Sequence, residues 1–237
     1  MTRLSVNINK VALLRNSRPG NIPDVVAFAQ VCERAGADGI TVHPRPDQRH
    51  IRYTDVLTLR DAIGVELNVE GFPSPEFLAL VEKVRPAQVT LVPDPPNALT
   101  SDHGWEVEAH RGFLAPIIER LHEWGLRVSL FINPEPAQVE AAAEIGADCV
   151  ELFTGPYAKA FREDPERAIA PYHRAAQKAQ ELGLRLHAGH DLNLQNLRFL
   201  RVHLPNLMEV SIGHALIADA LYFGISETIR RYKQALA

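Results

Sequence analysis

Short apolar-rich runs alternate along the chain with longer stretches in which apolar residues recur at helical spacing, and the alternation persists from end to end. Val6 and Ile8 alternate with Asn7 and Asn9, which predicts a first short strand, followed by a basic loop over residues 10–21 that carries Lys10, Arg15 and Arg18 before Pro19 and Gly20 break it. Pro23 and Asp24 suit the first turn of a helix with Val25, Phe28, Ala29 and Cys32 on its apolar face, and Gly36 ends it. Further strands are predicted over 38–43, 65–70, 88–92, 126–131, 148–153, at the start of 184–191, and over 208–212. Helical patterns fall between them: 53–60, a helix opened by Ser74 and Pro75, one carrying Phe113, Ile117, Leu121 and Trp124, then 136–145, a long one from Asp164 and Pro165 to Gly183, 194–200 and 214–222. Gly224 stops the last of these, and Ser226 is placed to cap a final helix.

Two local echoes point to one repeating scaffold. AGADGITVH at 35–43 resembles IGADCVELF at 145–153, and WGLRVSLF at 124–131 resembles LGLRLHAG at 182–189. In each, a helix end with Gly feeds a strand. Eight strand–helix units without a Pro/Gly/Ser-rich linker predict an α/β fold, an eight-stranded (β/α)8 TIM barrel forming a single domain over 1–237, with an open eight-stranded sheet as the competing arrangement.

Composition narrows the function. The chain has 237 residues, 46% apolar and 23% charged, and a formal charge of -4, so no global field recruits nucleic acid or an anionic membrane. No apolar run approaches membrane-spanning length and no segment resembles a signal peptide, so a cytoplasmic location is expected. Cys32 and Cys149 have no Cys or His partner at close spacing and read as core residues. The sequence has no HExxH run, Cys cluster or diagnostic carboxylate set, and no GxGxxG turn after the first strand, so neither metal nor dinucleotide is expected.

If the barrel closes, strand ends bring Asn7 and Asn9, His43 and Arg45, Glu70, Glu151, His190, and Gly213 with His214 to one rim. These are proton carriers, carboxylates and a cation, the equipment for repeated proton transfer on a small molecule. Each has an ordinary alternative: His43 could cap a strand at the surface, Lys10, Arg15 or Arg18 could simply pair with Glu70, and His187 reads as a satisfied core histidine. His103, His110, His122, His173 and His203 read as surface groups. Gly189 and Gly213 free backbone N–H groups near the rim, the latter opening a short helix that could face an anion. Arg18, Arg45, Arg49 and His50 could neutralise a second anionic group. Two such subsites imply two phosphorylated substrates or one bisphosphorylated one.

The segments VNINKVALLRNSR, GADGITVHPRPDQRHI, ELNVEG, QVTLVPD, RVSLFI, GADCVELFTGPYA, LHAGHDLN and SIGHALIADAL, in this order, resemble the pyridoxine 5'-phosphate synthase family over nearly the whole chain. The resemblance implies an eight-stranded barrel with extra helices, a homo-octamer, and a metal-free, cofactor-free condensation of 1-deoxy-D-xylulose 5-phosphate with 3-amino-2-oxopropyl phosphate to pyridoxine 5'-phosphate, phosphate and water. By motif, it implies that His43 and Glu70 are proton acceptors, His190 the proton donor and Glu151 the carboxylate that stabilises the transition state. Arg45, His50 and Thr100 match contacts to the deoxyxylulose phosphate. Asn7, Arg18, Gly213 and His214 match contacts to the amino-ketone phosphate. The family pattern has Asp-His where this chain has Asn9 and Lys10, and Gly where it has Asp191, all at substrate-binding positions. Asn9 keeps a hydrogen-bonding side chain without the charge, and Lys10 supplies a cation without imidazole's near-neutral proton exchange. Rival readings are another phosphosugar aldolase, isomerase or epimerase on the same scaffold, and a non-catalytic phosphometabolite-binding protein.

Overall fold

The computed structural model describes residues 1–94 and 101–237. In chain order its elements are β1 (Arg3–Asn7), α1 (Asn9–Asn16), α2 (Val25–Arg34), β2 (Gly39–Val42), α3 (Tyr53–Ala62), β3 (Glu66–Gly71), α4 (Pro75–Val84), β4 (Gln88–Leu91), α5 (Arg111–Glu123), β5 (Arg127–Ile132), α6 (Pro136–Glu144), β6 (Cys149–Phe153), α7 (Gly155–Ala160), α8 (Pro165–Glu181), β7 (Arg185–Gly189), α9 (Leu197–His203), β8 (Leu207–Ile212), α10 (His214–Phe223) and α11 (Ile225–Leu236). Each strand pairs in parallel with the next, and β1 pairs with β8 in the register Val6 to Ile212. The result is a closed (β/α)8 barrel with additional helices, which sets aside the open sheet.

The echoed motifs mark the turns into strands. Gly36 and Gly146 sit at φ +101° and +85°, a left-handed conformation that an L side chain resists, and each releases the chain from a helix into β2 or β6. At helix starts, Asp24, Ser74 and Asp164 accept hydrogen bonds from the amides of Ala27, Phe77 and Arg167 at 2.9, 3.2 and 3.0 Å. Pro23 thus lies outside α2 rather than in its first turn. Ser226 does not cap α11: Gly224 occupies the cap and the helix begins at Ile225, which puts Ser226 inside the first turn.

The expected basic loop over 10–21 is largely helix, since α1 spans Asn9–Asn16. Its apolar pattern is weak because one of its buried residues is a charged one. Arg15 is almost fully enclosed; its guanidinium bonds Asp55 at 2.7 Å and the carbonyl of His50 at 3.0 Å. Asn16 Nδ2 also bonds the His50 carbonyl, at 2.8 Å, so α1 is docked onto the loop after β2 by polar contacts.

Strand alternation sorts the core into two regions. Leu4, Val6, Ile40, Val42, Leu67, Val69, Val89 and Leu91 are buried in the continuous apolar cluster shared with the helices. The alternate residues point into the barrel and are polar. Ser5 bonds Thr41 at 2.6 Å, Thr90 donates to Asn68 at 3.0 Å and Gln88 donates to Thr90 at 3.3 Å, a cross-strand chain through the interior. At the end opposite the strands' C-termini, Arg3 contacts Glu66 at 3.0 Å and Glu209 at 3.3 Å, and Arg127 also bonds Glu66. Burial acts to raise the Glu66 carboxyl, but hydrogen bonds from Arg127 and Arg3 overcome it and hold the group down at about 2. His187 is lowered as well, to about 3, by burial first and then by Arg127 and Arg3, which favours its neutral form. Both cysteines are buried and reduced, and burial raises each thiol to about 12. No described helix is long and apolar enough to cross a membrane.

Candidate active site

A cavity of about 440 Å³ opens at the C-terminal ends of the strands. Asn7 reaches it from the end of β1, Asn9 and Lys10 from the start of α1, and His43, Arg45 and His50 from the loop after β2. Glu70 enters from β3, Glu151 from β6, His190 and Asp191 from just beyond β7, and Gly213 and His214 from the β8–α10 junction. Arg18 is not part of this wall. The helical turn of α1 carries it past the C-cap Ser17 to an exposed position. Thr100 lies outside the described residues. The wall also contains Leu13, Arg49, Val92, Ser101, Phe131 and Ser211, and of these Arg49 carries a sequence signal as part of a basic cluster.

The β1–α1 corner explains two residue choices together. Asn7 Oδ1 accepts from the Asn9 amide and Asn9 Oδ1 accepts from the His43 amide, both at 3.0 Å. The bond to His43 uses only an oxygen, so Asn9 can hold the start of the β2–α3 loop as an aspartate would. On the far side, Gly213 approaches Asn7 so closely that an added Cβ would lie 3.2 Å from its side chain.

The β7 end is the most constrained segment of the rim. His190 and Asp191 both adopt positive φ, +91° and +58°, which costs non-glycine residues about 1 kcal/mol or more each. Thr154 braces the turn by sharing its single hydroxyl proton between the carbonyls of Gly189 and His190, at 2.6 and 2.5 Å. The His190 ring is set between Phe153, edge-on at 5.3 Å, and Phe131 at 6.2 Å. Asp191 lies 3.7 Å from His190 Nδ1, and the nearby His190, followed by the charges of His214 and Lys10, holds its carboxyl below the usual range.

Electrostatics divide the site into neutral proton carriers and a cationic fringe. His43 lies well below the ordinary histidine value because it is buried and because Arg45, His50, His190 and Arg49 surround it. His50 is lowered to about 4 by burial and by Arg45, Lys10 and Arg49. Its Nδ1 accepts from the Ile51 amide at 2.9 Å, so the neutral ring carries its proton on Nε2. Glu70 is open to the cavity yet shielded from bulk solvent; burial, then Glu151 and Asp94, raise it well above the carboxylate range against the pull of Arg45. Glu151 is raised to about 8 by burial and by Glu209. Burial and neighbouring charge thus favour the neutral forms of His43, His50, Glu70 and Glu151, while Asp191 is held toward its ionised form, beside Lys10, Arg45 and Arg49. Among the described residues no group of three His, Cys, Asp or Glu is arranged to hold a metal ion.

A closed barrel with acids, bases and cations gathered at the C-terminal mouth of its strands defines a (β/α)8-barrel enzyme acting on small anionic molecules. Solved structures place the fold in wide company: a phosphoribosyl anthranilate isomerase from Thermus thermophilus superposes with a TM-score of 0.59 over 99% of this chain and 98% of its own, at 17% identity. The sequence is far more specific. The model of the family described as pyridoxal phosphate biosynthesis protein PdxJ matches residues 4–237, and the chain belongs to that family. It is 54% identical over 237 residues to a pyridoxine 5'-phosphate synthase of Porphyromonas gingivalis and 55% identical over 236 residues to one of Bacteroides fragilis, with 100% of each chain covered in both cases.

Proposed function

We propose that this enzyme condenses 1-deoxy-D-xylulose 5-phosphate with 3-amino-2-oxopropyl phosphate to form pyridoxine 5'-phosphate, phosphate and water, using the rim groups as its acids and bases. The observation that carries the reading is the gathering of His43, Glu70, Glu151 and His190 on one cavity with cations at its edge, in a chain of this family. Two phosphorylated small molecules are its substrates. Arg45 and His50 receive the deoxyxylulose phosphate, with Lys10 adding a cation beside Asn9. Asn7, Gly213 and His214 receive the amino-ketone phosphate against the start of α10, whose N–H groups favour an anion.

His43, neutral and with its lone pair available, accepts the proton released when amine and carbonyl combine. Glu70, whose protonated form is favoured by burial and by Glu151 and Asp94, gives a proton to a departing oxygen and then serves as an acceptor. His190 protonates the leaving hydroxyl from the opposite wall. Glu151, also protonated at rest, donates a hydrogen bond to the negative charge that develops on oxygen in the transition state. The enzyme works as a homo-octamer, an assembly for which the exposed Leu221, Tyr222 and Phe223 at the end of α10 supply an apolar contact surface.

The deciding experiment is a mass-resolved product assay on purified protein given both substrates, with sedimentation velocity on the same sample. Pyridoxine 5'-phosphate formed with equimolar phosphate is the expected result, and folded protein that yields none would overturn the assignment. A monomer at assay concentration would overturn the assembly alone.

A further inference from the structure

Asp94 is a buried acid that the proposed reaction leaves without a task. It lies just beyond the end of β4 and is almost completely shielded from solvent. Its Oδ2 receives two donors, Arg45 Nη2 at 2.5 Å and Ser101 Oγ at 2.6 Å. Both donors line the cavity, whereas Asp94 stands behind them. Its Oδ1 is buried with no hydrogen-bond partner among the described residues, a costly arrangement for a carboxylate. Arg45 belongs to the β2–α3 loop and Ser101 to the segment between β4 and α5, so a single carboxylate ties together segments that follow different strands.

A guanidinium presents its N–H donors in a fixed planar fork, so clamping one edge fixes where the others point. The Arg45–Asp94 pair is closed off from water on both sides, with side chains 4% and 1% exposed, which makes that direction rigid rather than averaged over rotamers. The charge of Asp94 also reaches Glu70 and favours its protonated form.

We propose that Asp94 is a positioning residue for the anion-binding wall, its carboxylate locking Arg45 and Ser101 into one unit that faces the deoxyxylulose phosphate. The proposal rests on the assignment of Arg45 to that substrate. It is tested by isothermal titration of 1-deoxy-D-xylulose 5-phosphate into the full chain carrying D94N, R45Q or both. D94N is expected to weaken binding about tenfold, to add little to the weakening caused by R45Q, and to leave the KM for the amino-ketone phosphate within about twofold of the parent. D94E, which restores the charge on a longer stem, is expected to regain part of the affinity. Unchanged binding in D94N, or additive effects of D94N and R45Q, would overturn the proposal. Should D94N not fold, S101A combined with R45Q supplies the same cycle, with non-additivity expected and additivity fatal. Parent protein that fails to bind the deoxyxylulose phosphate would refute the substrate assignment instead, and the cycle read with inorganic phosphate would still decide the role of Asp94.

Discussion

The α-carbon of Gly189 packs so tightly against the carboxyl of Glu151 that a side-chain carbon at position 189 would overlap Oε1. The glycine before His190 thus makes room for a neighbouring strand's functional group. G189A is expected to displace the Glu151 carboxyl and lower kcat by about tenfold or more while the barrel still folds, since one misplaced transition-state donor costs on that order. Steady-state turnover together with circular dichroism checks this, and unimpaired turnover would show that Glu151 relocates without consequence.

For His190 the expected outcome is a split between folding and chemistry. H190N removes the proton carrier from a ring site bounded by Phe131 and Phe153, and turnover is expected to fall by about a hundredfold or more. The melting temperature is expected to change little, because the loop is held by Thr154 through backbone carbonyls. Near-normal product formation by the folded variant would remove His190 from the donor role.

Glu151 links the site to pH-dependent stability. Folded, it releases its proton near pH 8, chiefly because it is buried and secondarily because of Glu209; unfolded, it releases it at about 4.3. Between those values the folded state binds more protons, so this group's contribution is greatest below the unfolded value and is lost as pH rises through the window. E151Q abolishes the titration. Its melting temperature relative to the parent is therefore expected to climb between about pH 5 and pH 8, and calorimetry showing a constant difference would contradict the shift.

The docking of α1 offers a test by denaturation. In D55A the enclosed guanidinium of Arg15 loses its carboxylate, and leaving a buried charge unpaired costs about 3 kcal/mol. Because Arg15 also holds the His50 carbonyl, the KM for the deoxyxylulose phosphate is expected to rise as well. Urea unfolding with a loss below about 1 kcal/mol would mean that water or another group replaces Asp55.

Much of this arrangement could be read in advance because the fold puts chemistry where apolar runs turn polar. The ends of the runs holding Glu70, Glu151 and His190 were visible as such, and the barrel followed from repeated strand–helix units. What stayed hidden depends on partners distant in sequence. The buried face of α1 includes Arg15, whose carboxylate is 40 residues away, so a helix reads as a basic loop and Arg18 seems to adjoin the site. Asp94 looks like a loop residue until its partner Arg45, 49 residues earlier, is beside it. Alternation such as VNIN and ELNVE signals one polar face per strand, but the pattern alone does not say that this face lines the inside of the barrel.

The pairing of β1 with β8 has a consequence for the making of the protein. Val6 meets Ile212, and just beyond that seam Asn7 meets Gly213, so the cavity wall is stitched from the barrel's first strand and its last. Until β8 emerges, a nascent chain can offer only an unclosed sheet with two bare edges, which invites chaperone capture or strand exchange with its neighbours.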